Sequence, residues 1–147
     1  MSRPSSYSDE TADLICEGLI EGRSLRSICR DEDMPSTSAV CRWLRDNPPF
    51  REQYALARES QGDTYADEIV DIADDKSNDT IKDENGQERA NTEWISRSRL
   101  RVDARKWAAS KLKPKVYGDK LDMTSGGEKI ALSAEIEAAR RRISEGQ

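Results

Sequence analysis

Thr37, Ser38, Cys41, Arg42 and Arg45 recur at helical spacing and would stand on one side of a single helix. Hydroxyls and guanidiniums presented together bind phosphate oxygens and base edges; they do not by themselves make or break covalent bonds. Val40, Trp43 and Leu44 occupy the other side of the same stretch, as a helix docked on a core requires. Arg23, Arg26 and Arg30 lie a little upstream and add cationic groups of the same kind. Reaction chemistry has no comparable candidate. The chain contains no histidine, which removes the commonest general base and the commonest metal ligand. It has no GxxxxGK[ST] phosphate loop, no GxGxxG and no Ser/His/Asp or Cys/His set. Asp71, Asp74 and Asp75 are carboxylates of the kind that bind divalent cations, but at helical spacing on a charged helix they read as a solvated face. Catalytic residues, metal ligands and cofactors are all expected to be none.

A recognition surface needs a scaffold, and residues 1–49 carry the punctuation of three short helices. Ser8 caps a first helix with Ala12, Ile15, Cys16, Leu19 and Ile20 on one buried face, ended by Gly22. Ser24 caps a second, with Leu25, Ile28 and Cys29 pointing inward. Asp31-Glu32-Asp33 and Met34-Pro35 form a turn; Ser36 or Thr37 then caps a third helix, Ser38 to Asp46, stopped by Asn47-Pro48-Pro49. This is the outline of a helix-turn-helix, in which the second helix braces the third in the DNA major groove. The same outline also fits a plain structural bundle. Cys16, Cys29 and Cys41 form no CxxC pair and are odd in number, so they read as reduced, small apolar fillers of a cytosolic protein.

Charge is divided unevenly behind this module. The net charge of −5 suits a DNA binder poorly, yet residues 56–86 hold three basic and ten acidic side chains while residues 87–120 hold ten basic and four acidic. Each block reads as a long helix. The first runs from Phe50 to about Asp75, with an apolar stripe thin at Gly62 and an acidic outer face; the second runs from about Glu88 to Leu112 and closes at Pro114. The polar connection Lys76 to Gln87, with Asn85-Gly86, would join them as an antiparallel hairpin. The basic block Arg97 to Lys120 serves either as a phosphate footprint or as a neutralising partner for the acidic helix. Trp94 and Trp107 read as packing residues on the stripe. Charged residues make up 36% of the chain and aromatics 5%, so the stripes are wider than one hairpin hides and self-association follows. Val116, Tyr117, Leu121 and Met123 fit a short strand that must pair with something, and residues 126–147 read as a flexible tail or a docking segment. No apolar run spans a membrane, and Met1-Ser-Arg-Pro-Ser-Ser has no apolar stretch behind it, so neither a membrane segment nor a secretory leader is expected.

The stretch Ser38-Ala-Val-Cys-Arg-Trp-Leu after a Met-Pro turn resembles the third helix of small terminase subunits of tailed double-stranded-DNA bacteriophages. Arg99-Leu-Arg-Val-Asp-Ala-Arg-Lys-Trp-Ala, running on to Lys113-Pro-Lys-Val-Tyr-Gly-Asp-Lys, is similar to the final core helix and following strand in the group from short-tailed phages. The resemblance covers roughly residues 10 to 123. It implies a mainly α protein without enzymatic activity, acting in the host cell cytoplasm as a homo-oligomeric ring. That ring would bind the packaging-initiation site of double-stranded viral DNA, then recruit and regulate the large terminase subunit that carries ATPase and nuclease.

The organisation expected is a helix-turn-helix domain at 1–49, an oligomerisation hairpin at 50–113, a strand of an intersubunit β-barrel at 114–125 and, outside the resemblance, a flexible tail at 126–147 that is a candidate docking segment for the large subunit. Carried onto this chain, the DNA-contact residues are Arg23, Arg26, Arg30, Thr37, Ser38, Arg42 and Arg45. The oligomerisation residues are Tyr65, Ile69, Ile72, Ile95, Val102, Trp107 and Leu112 on the helices, with Val116, Tyr117 and Leu121 on the strand. A dimeric helix-turn-helix transcription regulator is the alternative, and it leaves the 99–120 string unexplained. A structural adaptor that binds only proteins is the third reading.

Overall fold

The structure, a computed structural model, describes residues 3–119, 124–125, 128–129 and 132–146. Short polar side chains start its N-terminal helices. Ser8 accepts the amide of Thr11 and opens α1 (Asp9–Ile20), whose first-turn Asp9 and Glu10 suit the positive end of the helix dipole. Ser24 caps the single turn α2 (Leu25–Ile28), and Ser36 caps α3 (Thr37–Asp46) by accepting from Ala39. Gly22, at φ +91°, turns the chain after α1 in a conformation that side chains disfavour. Ala12, Ile15, Leu19, Ile28, Val40 and Trp43 then close one core, completed by Phe50 from the next helix. Tyr7 lies edge-on to Trp43 with ring centroids 5.6 Å apart and meets Phe50 at 5.7 Å. Ile20, expected on the buried face, is 44% exposed, because Leu19, at 0%, takes the inward side of the last turn.

The two prolines that would stop α3 also begin its successor. Asn47 ends α3 and caps α4 (Pro48–Asp74), its side-chain oxygen accepting from Phe50 at 3.1 Å, with proline in the first helical turn where no amide donor is needed. The boundary expected between residues 49 and 50 therefore falls inside α4. The first half of α4 belongs to the N-terminal bundle. Gln53 donates to Asp13, Gln61 to the carbonyl of Arg23 at 2.8 Å, and Thr64 to that of Ile20 at 2.6 Å.

Beyond α4 the connection is more ordered than its composition suggests. Thr80–Lys82 (β1) and Glu88–Ala90 (β2) pair antiparallel, with Thr80 opposite Ala90 and Lys82 opposite Glu88. Gly86 at φ +76° and the Asp83 carboxylate, which accepts from the amides of Asn85 and Gln87, build the turn. Helix α5 (Thr92–Leu112) consequently starts four residues later than expected, capped by Asn91, and returns along α4 as the long antiparallel hairpin.

The strand expected from residue 114 does not form at Val116 and Tyr117. Pro114 opens a helical turn, α6 (Pro114–Tyr117), in which Gly118 donates back to Pro114 at 2.9 Å. A side chain at Gly118 would bring Cβ within 2.4 Å of the Pro114 carbonyl oxygen. Thr124–Ser125 (β3) pairs with Glu128–Lys129 (β4), and α7 (Leu132–Glu145) follows; Leu121 and Met123 lie outside the described residues.

Candidate nucleic-acid interface and assembly faces

Helix α3 buries Ala39, Val40 and Trp43 and leaves Thr37, Ser38, Cys41, Arg42 and Arg45 exposed. Among the described residues the Arg42 guanidinium makes one hydrogen bond, donating to the Ser5 carbonyl at 3.1 Å. Arg51 donates to the carbonyls of Leu44 and Arg45 at 2.9 and 3.2 Å, tying off the C-terminal end of α3 from below. Arg26 and Arg30 are exposed beside the turn.

Arg23 is placed differently from the rest of its set. Its guanidinium grips both oxygens of Asp31 at 2.7 and 2.8 Å and reaches the Ser27 carbonyl, so it braces the α2–α3 turn. The pairing holds the Asp31 carboxyl below its ordinary value of 3.8 and raises Arg23 in return. Arg26, Arg30, Thr37, Ser38, Arg42 and Arg45 are thus exposed, while Arg23 serves the scaffold.

Cys16 and Cys29 are buried in the core, and burial pushes the Cys16 thiol up to about 11, with nearby Asp13 acting in the same direction. Cys41 is exposed among the α3 candidates. Among the described residues no group of three His, Cys, Asp or Glu side chains is placed to hold a metal ion, and no helix is long and apolar enough to cross a membrane.

The hairpin places the expected assembly residues in two classes. Ile72 is buried, and Tyr65, Ile69, Val102 and Leu112 are half-buried. Tyr65 also donates to the Gly22 carbonyl at 3.3 Å, so these side chains serve contacts within one chain. Ile95, Trp107, Val116 and Tyr117 stay exposed. Trp107, expected to pack against the hairpin, is 67% exposed and has the Lys111 ammonium 5.9 Å from its ring centroid. Leu56, Val70 and Leu100 are exposed as well. Their outward direction was hidden in the sequence because each helix carries two apolar stripes rather than one.

Across the hairpin the opposite charges meet at few points. Glu68 pairs with Arg105, and Asp63 with Lys113 at 2.7 Å, whereas Arg97 pairs within its own helix with Glu93 at 3.4 Å. Among the described residues, Asp67, Asp74, Arg101 and Lys111 have no ion-pair partner. The basic block is therefore only partly neutralised by the acidic helix beside it.

Three comparisons bear on this architecture. A family model described as "Bacteriophage Sf6, terminase small subunit-like" matches residues 7–124. Crystal structures of single-substitution variants of the terminase small subunit gp1 of the bacterial virus Sf6 superpose with a TM-score of 0.66. Two of these are 39% and 38% identical to the chain, covering 86% of it and 88% of the Sf6 subunit. No curated protein matches. With the helix-turn-helix bundle, the long hairpin and the family match extending over most of the sequence, the chain belongs to the Sf6-like family of bacteriophage terminase small subunits.

Proposed function

We propose that this small subunit is a non-enzymatic DNA-binding component of viral genome packaging, acting in the host cytoplasm as a closed ring of identical copies. The observation that carries the DNA-binding part is the outward side of α3. Thr37, Ser38, Arg42 and Arg45 lie exposed together above a core that fixes their helix. Arg26 and Arg30 supply further phosphate contacts from the neighbouring turn. Each copy offers few cations, so useful affinity requires several copies on one DNA, and the exposed apolar side chains of the hairpin supply the means of joining them. The ring selects the packaging-initiation site and brings the large, ATP-hydrolysing subunit to it. The ribbon at Thr124–Ser125 contributes to a barrel between copies, and the segment after residue 126 docks the large subunit.

The test is a gel shift with the double variant Arg42→Ala, Arg45→Ala, run beside native mass spectrometry. Loss of DNA retention with the native mass unchanged supports the assignment. Retention equal to the unsubstituted chain moves the DNA site elsewhere, and a two-copy native mass would restore the dimeric regulator.

A further inference from the structure

A shallow apolar groove runs between α1 and the first half of α4. It encloses about 260 Å3, with the buried Cys16 and Ala57 as its floor and the exposed Ile20 and Leu56 at its rim. Its walls run from Asp13 to Ile20 on one helix and from Gln53 to Ser60 on the other, roughly 10 Å each at helical rise. A second hollow, to which Glu52 and Glu59 belong, lies on the other side of Leu56. Carboxylates therefore border the apolar strip on both sides, Asp13 and Glu17 from α1 and Glu52 and Glu59 from α4. Among the described residues none of the three glutamates has an ion-pair partner. The groove stops short of Asp63, which Lys113 and Tyr117 hold.

Helix α7 carries the opposite pattern. Ile136, Ala139 and Ile143 recur at three and four residues and make one stripe, and residues 136–144 are exposed throughout. By helical spacing Arg140 and Arg142 flank that stripe on its two sides, while Arg141 and Glu137 fall away from it. From Ile136 to Ile143 the stripe is as long as the groove wall. Chain length also permits the contact. Tyr117 is tied to Asp63, one helical turn past Ser60. Between Gly118 and Leu132 the β3–β4 ribbon folds residues 124–129 back on themselves, and the steps that remain reach roughly 30 Å at full extension. The tail need not leave its own subunit to cover the groove.

We propose that α7 closes into the α1–α4 groove of its own chain. Ile136 and Ile143 cover the strip between Ile20 and Leu56, and Arg140 and Arg142 meet the carboxylates on its two borders. The structure holds α7 in the open position, with its stripe bare. The occupant is a basic helix rather than a nucleic acid, because the bordering carboxylates repel phosphate. Closure ties the end of the chain to the bundle that carries α3. Where the tail also docks the large subunit, as proposed above, the groove competes for the same stripe; the groove contact itself does not rest on that reading.

The experiment is hydrogen exchange of the full chain read by mass spectrometry. A lone helix of 14 residues is marginal in water, so slow exchange of the α7 amides reports docking. Those amides should exchange about tenfold faster in Leu56→Asp, in Glu17→Arg with Glu52→Arg, and in Arg140→Glu with Arg142→Glu than in the unsubstituted chain. Arg141→Glu should leave them slow, and the two charge reversals combined should restore protection. The α1 amides, read in the same spectra, show that each variant keeps its bundle. With Cys41→Ser removing the exposed thiol, Leu56→Cys and Ala139→Cys should form a disulfide within one chain on oxidation. Fast α7 exchange in the unsubstituted chain overturns the proposal, as does slow exchange that survives Leu56→Asp. Equal loss of protection in Arg141→Glu overturns it by removing the register, and a disulfide that joins two chains overturns it by giving the groove to the tail of another copy.

Discussion

Lys113 holds both oxygens of Asp63, at 2.7 and 3.0 Å, where Gly62 lets α4 and the end of α5 approach closely. A Cβ at Gly62 would stand 3.3 Å from that of Lys113 and 3.5 Å from that of Leu112. Alanine can be admitted by small shifts, but a larger side chain cannot. Gly62→Leu should destabilise the chain by about 1–3 kcal/mol through overpacking, lowering the thermal midpoint by several degrees. A midpoint at or above that of the unsubstituted chain contradicts this account of the close approach.

The same carboxylate accepts a bond from the Tyr117 hydroxyl at 2.8 Å, so Asp63 holds α6 against α4. The bond from Lys113, followed by that from Tyr117, lowers the Asp63 value below 3.8. A lowered acid contributes stability that is complete above its ordinary value and disappears as pH falls through the lowered one. Lys113 and Tyr117 are both raised, chiefly by their bonds to Asp63, and their share disappears as pH rises through the raised values. The latch should therefore open at both extremes. The Tyr117 ring resonances should move toward free-tyrosine positions below pH 3.8, and Asp63→Asn should hold them there at neutral pH. Resonances indifferent to Asp63→Asn would refute the latch.

Cysteine labelling separates core from surface. Cys41 should react with a maleimide at once, while Cys16, buried and raised to about 11, and the equally buried Cys29 should react only on unfolding. Because Cys41 shares its side of α3 with Thr37, Ser38 and Arg45, bound DNA should slow its labelling. Labelling at an unchanged rate on saturating DNA would place the DNA on another face.

Phe50 has no exposed surface and touches Tyr7, Trp43 and Tyr54 with centroid separations of 5.7, 6.4 and 6.0 Å. Phe50→Ala should cost about 3–5 kcal/mol, most of the stability a small bundle has. The α3 amides should then exchange rapidly with solvent and DNA retention should fail, although no DNA candidate was altered. Slow α3 exchange in that variant would show the bundle does not depend on this anchor.

Local chemistry made much of this readable. The caps Ser8, Ser24 and Ser36 act on amides three residues ahead, so four consecutive residues suffice to find each. The outward side of α3 was legible for a similar reason, since Val40 and Trp43 mark the inward one. Three things were not. The strands Thr80–Lys82 and Glu88–Ala90 are exposed on both faces, so no alternation betrays them, and only Asn85-Gly86 signalled a turn. Val116 and Tyr117 have strand-forming side chains, but Pro114 at a first helical position and the tight Gly118 closure prevail over that preference. On α5, Val102 and Trp107 read as one stripe until the Glu68–Arg105 pair sets the helix rotation. Which apolar residues face outward is a tertiary fact.

Asn47 ends one helix and starts the next, leaving no spacer between the N-terminal bundle and the long hairpin. The heads in the proposed ring therefore cannot swivel independently to find their sites. Their spacing and angle are dictated by how many copies close the circle, and the particle would measure a DNA segment as a fixed gauge does. A packaging site matched to one copy number would then be out of step with another, even with every contacting residue unchanged.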